Sequence, residues 1–362
     1  MSLIKYTVFH PVRVLAVLAI GGVLGLGAFY AYQVKAALDM VAVEDFDPEG
    51  ARVAMANPAP DFSDLVKDPY GNYLDPDPPV SSSTLDPRSQ FPTSFGDPLP
   101  DEAFDSYLLL GTDASGFLAD AIILTLQPNA GGAPIMVSLP RDLYVWNLCK
   151  DRFSRLNEGL GGCPGTASGS ELMAIMVEDY TGIPVDHLAR INFRGFARLV
   201  DAMEGIQVCV DNPTRDANSG LDIATAGCQT VNGETALAWV RSRHTEQLIG
   251  SEWKQVAGSD FARQSRQQDV LFQLAARAAS FSSPGALVNR LSAVASSVRL
   301  DSEWSFGQAI STGWRYRGIS KDSVRRFGIE AHNYRSPLGA AVLVPDLKFT
   351  EQLAAVFDLN DI

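Results

Sequence analysis

The sequence predicts a three-layer α-β-α sandwich with a mixed central sheet, preceded by one transmembrane helix. Two observations carry that prediction. From Asp105 onward, short apolar runs alternate with amphipathic stretches of helical period, the pattern of strands and helices stacked in layers. Near the N-terminus, residues 14–32 run for 19 residues without a charge, enough to cross a bilayer.

Taken in order, Lys5 and Arg13 precede the apolar run. Lys35 follows it, and the chain then turns acidic at Asp39, Glu44, Asp45 and Asp47. The basic flank assigns residues 1–13 to the cytoplasm as a short tail. A single-pass cell-membrane protein with its main domain outside the cytoplasm is expected. The alternative is a cleaved signal peptide, but the run is longer than a usual signal core. A clean small-x-small site is also missing, although Val34-Lys35-Ala36 is arguable. Residues 33–104 read as a Pro/Asp-rich extracellular stalk, because 11 of the 21 prolines fall between Pro48 and Pro100.

Residues 105–362 form the expected globular domain. Strands are read at 107–111, 121–126, 133–139, 187–193 and 206–210, with a late one at 341–345. Helices are read at 168–182, with a cap at Ser168 or Ser170 and a glycine stop, and at 194–205. Further helices are read at 231–243, at 259–279 with Ser259 as N-cap, and at 283–297 and 303–314.

The 362 residues carry a formal net charge of -13, which argues against a nucleic-acid partner, since that needs a basic face. The four cysteines, Cys149, Cys163, Cys209 and Cys228, all lie beyond the membrane segment, and an even count in an exported domain suggests disulfides. Three pairings are possible; proximity favours Cys149–Cys163 and Cys209–Cys228. A metal site is disfavoured, because the cysteine spacings are not ligand spacings and the histidines form no pattern.

None of the common catalytic signatures is present: no nucleophile elbow, no zinc helix, no phosphate-binding glycine loop. The unusual feature is arginine at element ends. Arg141 follows a strand in Ser138-Leu139-Pro140-Arg141-Asp142. Arg241 and Arg243 end a helix, and Arg263 and Arg266 lie three apart on one helix, followed by Gln267 and Gln268. Asp113, Asp120 and Asp260 occupy comparable ends. Arginine suits phosphate because its planar fork offers paired donors and stays charged. Carboxylates could hold a hard divalent cation that binds phosphate oxygens in turn. Singly, each motif is ordinary surface charge, an i,i+3 ladder or a turn residue.

In combination, "LLLGTD", "LADAIILTL", "IMVSLPRDLYV", "RLNEG", "DHLARINFRGFARLVDAMEGIQVCVD", "VNGETALAWVRSRH" and "DFARQSRQQ" resemble, in this order, the LytR-CpsA-Psr family of cell-wall phosphotransferases. The resemblance covers residues 105–280, and the cysteine pairs look like those of actinobacterial members. It implies transfer of a glycan phosphate from a polyprenyl-pyrophosphate carrier to a peptidoglycan hydroxyl, assisted by Mg2+. Asp113 and Asp120 fall on the family's metal-binding aspartates. Arg141 falls on the "PRD" arginine, Arg241 and Arg243 on the "RxR" pair, and Asp260, Arg263 and Gln267 on the "DxxRxxRQ" helix. Arg155 sits where a basic residue often precedes "IN". One departure stands out: Leu118 occupies a position commonly held by Arg.

On this reading Arg141, Arg241, Arg243 and Arg263 clamp the pyrophosphate, with Arg155 and Gln267 as further contacts, and Asp260 removes the acceptor proton. The prenyl tail must leave water, so helices 172–181 and 196–203 are expected to line a slot with Ile175, Met176, Phe196, Leu199 and Val200. Leu248, Ile249 and Trp253 could cover the pocket mouth; residues 244–259 read equally well as a mobile Gly/Ser loop. Two other functions fit the same residues: a polyprenyl-pyrophosphate phosphatase, and a lipid-binding envelope-assembly protein without catalysis.

Overall fold

The computed structural model describes residues 28–37, 39–56, 87–113, 115–256, 260–278, 283–305, 307–308, 311–312 and 323–359. Its centre is a seven-stranded mixed sheet. In chain order the strands are β1 (Ala42–Glu44), β2 (Phe104–Thr112), β3 (Ala119–Pro128), β4 (Ile135–Ser138), β5 (Tyr144–Asn147), β6 (Arg152–Arg155), β7 (His187–Asn192), β8 (Ile206–Val210) and β9 (Thr214–Asp216). They continue with β10 (Leu221–Ile223), β11 (Gly227–Val231), β12 (Glu246–Ile249), β13 (Glu252–Gln255), β14 (Val298–Asp301), β15 (Arg325–Gly328), β16 (Ala331–Arg335) and β17 (Ala341–Pro345). The main sheet runs β1-β14-β7-β2-β3-β4-β15. Three pairs are parallel (β1–β14, β7–β2, β4–β15) and three antiparallel (β14–β7, β2–β3, β3–β4).

Besides the helical residues 28–37 and a single turn at Pro87–Gln90, the described helices include α1 (Pro48–Ala56), α2 (Gly169–Thr181), α3 (Phe193–Ala202), α4 (Gly233–Arg241), α5 (Asp260–Ala278), α6 (Pro284–Ala295) and α7 (Phe349–Ala354). Alternation along the strands feeds both faces of the sheet. Leu108, Leu110, Ile122 and Leu124 pack with Leu172, Ile175 and Met176 of α2 into the main core. A second core joins α3, α4 and α5 through Leu199, Val200, Ala236, Val240, Val270 and Leu274.

Helix α2 starts where its sequence signals it. The Ser168 hydroxyl accepts from the Glu171 N–H (3.2 Å), and the Glu171 carboxylate accepts from the Ser168 N–H (2.7 Å). It ends at Gly182, whose φ of 73° is the left-handed cap that glycine adopts without a Cβ clash. Helices α3 and α4 approach so closely that a Cβ on Gly233 would overlap the Ala197 carbonyl.

Both proximate disulfides form. Cys149–Cys163 closes a separation of 14 residues, and Cys209–Cys228 one of 19. The second joins directly paired positions of β8 and β11.

Part of residues 33–104, read as a stalk, packs on the folded domain. β1 pairs with β14 in the main sheet, and Phe46 and Ala51 are buried in the main core. Phe46 and Ala51 are apolar enough to enter a core despite the acidic and proline-rich residues around them. Residues 57–86, the most proline- and aspartate-dense part, lie outside the described residues. So do residues 14–27 of the apolar run. Residues 28–37 are helical, and no described helix is long and apolar enough to cross a membrane. Residues 244–259 also differ from expectation. Residues 246–255 form the β12–β13 hairpin, which extends β9 and β10 into a four-stranded sheet.

Candidate active site

The apolar strand β4 ends at Ser138, and Pro140 turns the chain at the sheet rim. The Leu139 N–H still bonds the Ile122 carbonyl (2.8 Å), so Arg141 is delivered from a fixed anchor. Arg141 pairs with Asp120 on β3 through a short contact and lies 3.5 Å from Asp142. Burial works against the Arg141 charge, but Asp142 and Asp120 hold its guanidinium above the ordinary value. Asp142 is shared: its carboxylate also lies 3.6 Å from Arg155 and 3.9 Å from Arg243.

The second wall comes from the end of α4. Arg241 closes the helix with its guanidinium over the Phe193 ring, 4.4 Å from the centroid. Ser242 leaves the helix in extended conformation (φ -61°, ψ 128°). An extended residue sends its two neighbours to one side, and Arg241 and Arg243 both line the same pocket. Helix α5 supplies Arg263 and Gln267 to that pocket, and the Gln267 amide donates to the Val240 carbonyl (3.2 Å). Arg266 turns the other way, donating to the Ser242 carbonyl and covering the Trp239 ring. Burial and the like charge of Arg263 push Arg266 below its ordinary value, which for a guanidinium still leaves it charged.

The result is a polar cavity lined by Asp120, Arg141, Asp216, Asn218, Ser219, Arg241, Arg243, His244, Arg263 and Gln267. Four arginines face two carboxylates there, so the cavity suits an anion with several oxygens. A second, almost wholly apolar cavity adjoins it. Its sheet wall is Leu109, Ala121, Ile123, Ala189 and Ile191; its helix wall includes Phe193, Phe196, Leu199, Leu237, Val240, Leu271 and Leu274. Asp120, Arg241 and Gln267 line both cavities.

The structure therefore brings together Arg141, Arg241, Arg243, Arg263, Gln267 and Asp120 in one cavity, and Phe196 and Leu199 in the other. Other expected residues are placed elsewhere. Ile175 and Met176 are fully buried in the main core. Their helix covers the opposite face of the sheet from the slot, whose helix wall is α3, α4 and α5 instead. Val200 is also buried, in the second core. Arg155 does not line the cavity; its Nε donates to the Ala341 carbonyl (3.1 Å). Leu248, Ile249 and Trp253 lie in the β12–β13 hairpin and line neither cavity. The Trp253 ring instead carries the Arg215 guanidinium at 4.0 Å. Asp260 opens α5, and its side chain lies outside the described residues.

Asp113 caps its own loop rather than lining the cavity. Its carboxylate accepts from the Ser115 hydroxyl (2.7 Å) and the Gly116 N–H (2.9 Å), as a short carboxylate after a strand does. Against a burial effect that raises it, the bonds from Ser115, Leu118 and Gly116 hold the Asp113 carboxyl below its ordinary value. Leu118 is exposed beside Phe117 at the tip of this loop. Among the described residues no group of three or more His, Cys, Asp or Glu side chains gathers as a metal cluster.

Sequence reasoning missed Asp216, Asn218, Ser219 and His244. His244 was within reach, being next to Arg243. Asp216 was not, because it ends a three-residue strand inside a polar run.

Fold and cavities define an α/β protein with an arginine-rich pocket that adjoins an apolar slot. The chain belongs to the LytR_cpsA_psr family, whose model matches residues 91–354. A relative in Corynebacterium glutamicum, described as "Probable cell wall biosynthesis protein LcpB", is 34% identical over 183 residues, 49% of this chain and 38% of that protein. Another from the same organism, "Cell wall biosynthesis protein LcpA", is 30% identical and matched over 54% of this chain and 40% of its own length. The matched region thus spans about two fifths of these relatives. "Polyisoprenyl-teichoic acid--peptidoglycan teichoic acid transferase TagU" of Halalkalibacterium halodurans is 29% identical, over 61% of this chain and 70% of that protein. Among solved structures, the "LytR-Csp2A-Psr enzyme from Actinomyces oris" superposes with a TM-score of 0.56 at 25% identity, covering 74% of this chain and 95% of that one.

Proposed function

We propose that this protein transfers a glycan phosphate from a polyprenyl-pyrophosphate carrier to a peptidoglycan sugar hydroxyl, attaching a secondary polymer to the cell wall. The observation that carries the reading is the adjacency of the two cavities. An arginine-rich pocket and an apolar slot share Asp120, Arg241 and Gln267, so one amphiphile fits with its charged end in the first and its tail in the second. The name of the TagU relative, a polyisoprenyl-teichoic acid–peptidoglycan teichoic acid transferase, supports the same class of donor.

In this reaction the acceptor oxygen bonds to the phosphorus that carries the glycan, and the bridging P–O bond breaks, releasing polyprenyl phosphate. Arg141, Arg241, Arg243 and Arg263 would neutralise the oxygens and stabilise the leaving phosphate, the main task in phosphoryl transfer. Asp260 is assigned the removal of the hydroxyl proton. Mg2+ belongs to the proposal as a charge-neutralising partner of the phosphates. Such an ion needs only one or two protein carboxylates beside phosphate oxygens; Asp120, on the cavity wall, fits that mode, and Asp113 does so only if its loop opens. The apolar run 14–32 would hold the domain at the outer membrane surface, beside its lipid substrate.

The test uses the full chain in membrane vesicles, with a lipid-linked glycan and peptidoglycan. Glycan attached to peptidoglycan, lost in Arg141→Ala and Arg241→Ala, is the expected result. Phosphate release without any need for acceptor would replace transfer by hydrolysis. Full complementation of a deletion strain by both variants would remove catalysis altogether.

A further inference from the structure

We infer that Asp216 is a positioning residue that sets the Arg241/Arg243 pair, acting from a separate element of the fold. The inference rests on the reading of that pair as a phosphate clamp.

The end of α4 creates a backbone problem. After Arg241 the helix stops, and the N–H groups of Arg243 and His244 have no helical carbonyl to bond. Asp216 takes both: its Oδ2 accepts from the Arg243 N–H (2.9 Å) and the His244 N–H (2.9 Å). The same oxygen accepts from the Ser242 hydroxyl (2.7 Å). The other oxygen accepts from the Asn218 N–H (2.9 Å), which fixes the carboxylate to its own β9–β10 turn. Asp216 is 1% exposed and Ser242 is fully buried.

This network dictates where the arginines point. Ser242 must face inward for its hydroxyl to reach Asp216, and its extended backbone then sends Arg241 and Arg243 outward into the cavity. The opposite side of Ser242 is held by Arg266, which donates to its carbonyl, and its hydroxyl also lies 2.8 Å from that of Thr245. A carboxylate in a pocket meant for phosphate would ordinarily repel the ligand. Four donors absorb its charge here, and against the burial effect that raises it, the Ser242, His244, Asn218 and Arg243 bonds hold the carboxyl below its ordinary value. An amide cannot replace it, because one side-chain oxygen would have to serve donors on both sides.

The experiment measures the affinity of the full-length protein in detergent for farnesyl pyrophosphate, which has a charged head and an apolar tail. Asp216→Asn, Arg243→Ala and the double variant are compared, with Ser242→Ala as a milder change and melting temperature recorded for each. Asp216→Asn is expected to weaken binding about 10–100-fold, and Ser242→Ala by less. Arg243→Ala should cost far less in the Asp216→Asn background than in the wild type, because the two act through one contact. If Arg243→Ala costs the same factor in both backgrounds, Asp216 does not act through the clamp and the inference fails. If Asp216→Asn unfolds the protein, the same coupling is read between Ser242→Ala and Arg243→Ala, where additivity overturns the inference equally. If Arg243→Ala alone leaves affinity unchanged, the clamp reading fails first, a result separable from failure of Asp216 alone.

Discussion

At the scale of single residues, the site depends on arginine as arginine. The Arg241 guanidinium lies over Phe193 and lines both cavities, so it needs a flat cation that can stack and still offer a fork. Arg241→Lys keeps the charge and loses both properties. The loss of one charged, paired contact corresponds to about 10–100-fold in affinity for farnesyl pyrophosphate by calorimetry; a change below about two-fold would show that charge alone suffices. Asp142 has the opposite role. It lies 3.5, 3.6 and 3.9 Å from Arg141, Arg155 and Arg243, holding three like charges together. Asp142→Asn removes the counter-charge with little change of shape. Inorganic pyrophosphate should then bind a few-fold more tightly, while glycan transfer falls about 10-fold as the arginines move apart. Parallel falls in binding and transfer would assign Asp142 to the fold rather than to spacing the arginines.

At the scale of elements, the β8–β11 ribbon leads by way of its second strand into α4, the helix that ends in Arg241, and the ribbon is stapled at Cys209–Cys228. Closing a separation of 19 residues stabilises by about 3 kcal/mol in the chain-entropy picture. Replacing both cysteines by serine should lower the melting temperature by roughly 6–10 °C; calorimetry with and without the staple measures it. Helix α4 itself was legible in the sequence, although it ends at Arg241, two residues before the expected 243. A cap at Ser168 or Ser170, the Gly182 stop and the helix containing α3 were legible because their signals are local. Helix α2 shows the limit. It is buried on nearly every side, so its period identifies it as a core helix without saying which face of the sheet it covers. That is why Phe196 and Leu199 line the slot and Ile175 does not. The β9–β10 and β12–β13 strands are short, polar and paired only in three dimensions, so neither Asp216 nor the hairpin had a sequence signature. The alternating α/β layers and the four cavity arginines could be read because apolar strand ends and charged turns adjoin in sequence.

At the scale of the whole molecule, residues 42–56 of the N-terminal segment are part of the folded domain. β1 completes the sheet edge, and the Glu44 carboxylate reaches Ser170 at 2.5 Å, Arg190 at 3.3 Å and Arg299 at 3.5 Å. Helix α1 then lays Arg52 across the end of α2, 3.2 Å from Glu178 and 2.8 Å from Asp179. Burial raises both carboxyls above their ordinary values despite Arg52, so the folded protein favours their protonated forms. The stability they contribute is present below the ordinary carboxylate range, near pH 4, and is lost as pH rises through their folded values. Arg52 offsets that loss by neutralising the charged forms. Arg52→Ala removes the guanidinium that contacts two adjacent, largely buried carboxylates. Its own 36% exposure limits the effect to about 1–2 kcal/mol near neutral pH. The deficit should shrink on acidification, because protonation removes the repulsion that Arg52 was cancelling. Melting curves of both proteins at pH 7.5 and pH 5 measure this. An equal deficit at the two pH values would mean that Arg52 acts through packing alone and not as a counter-ion to Glu178 and Asp179.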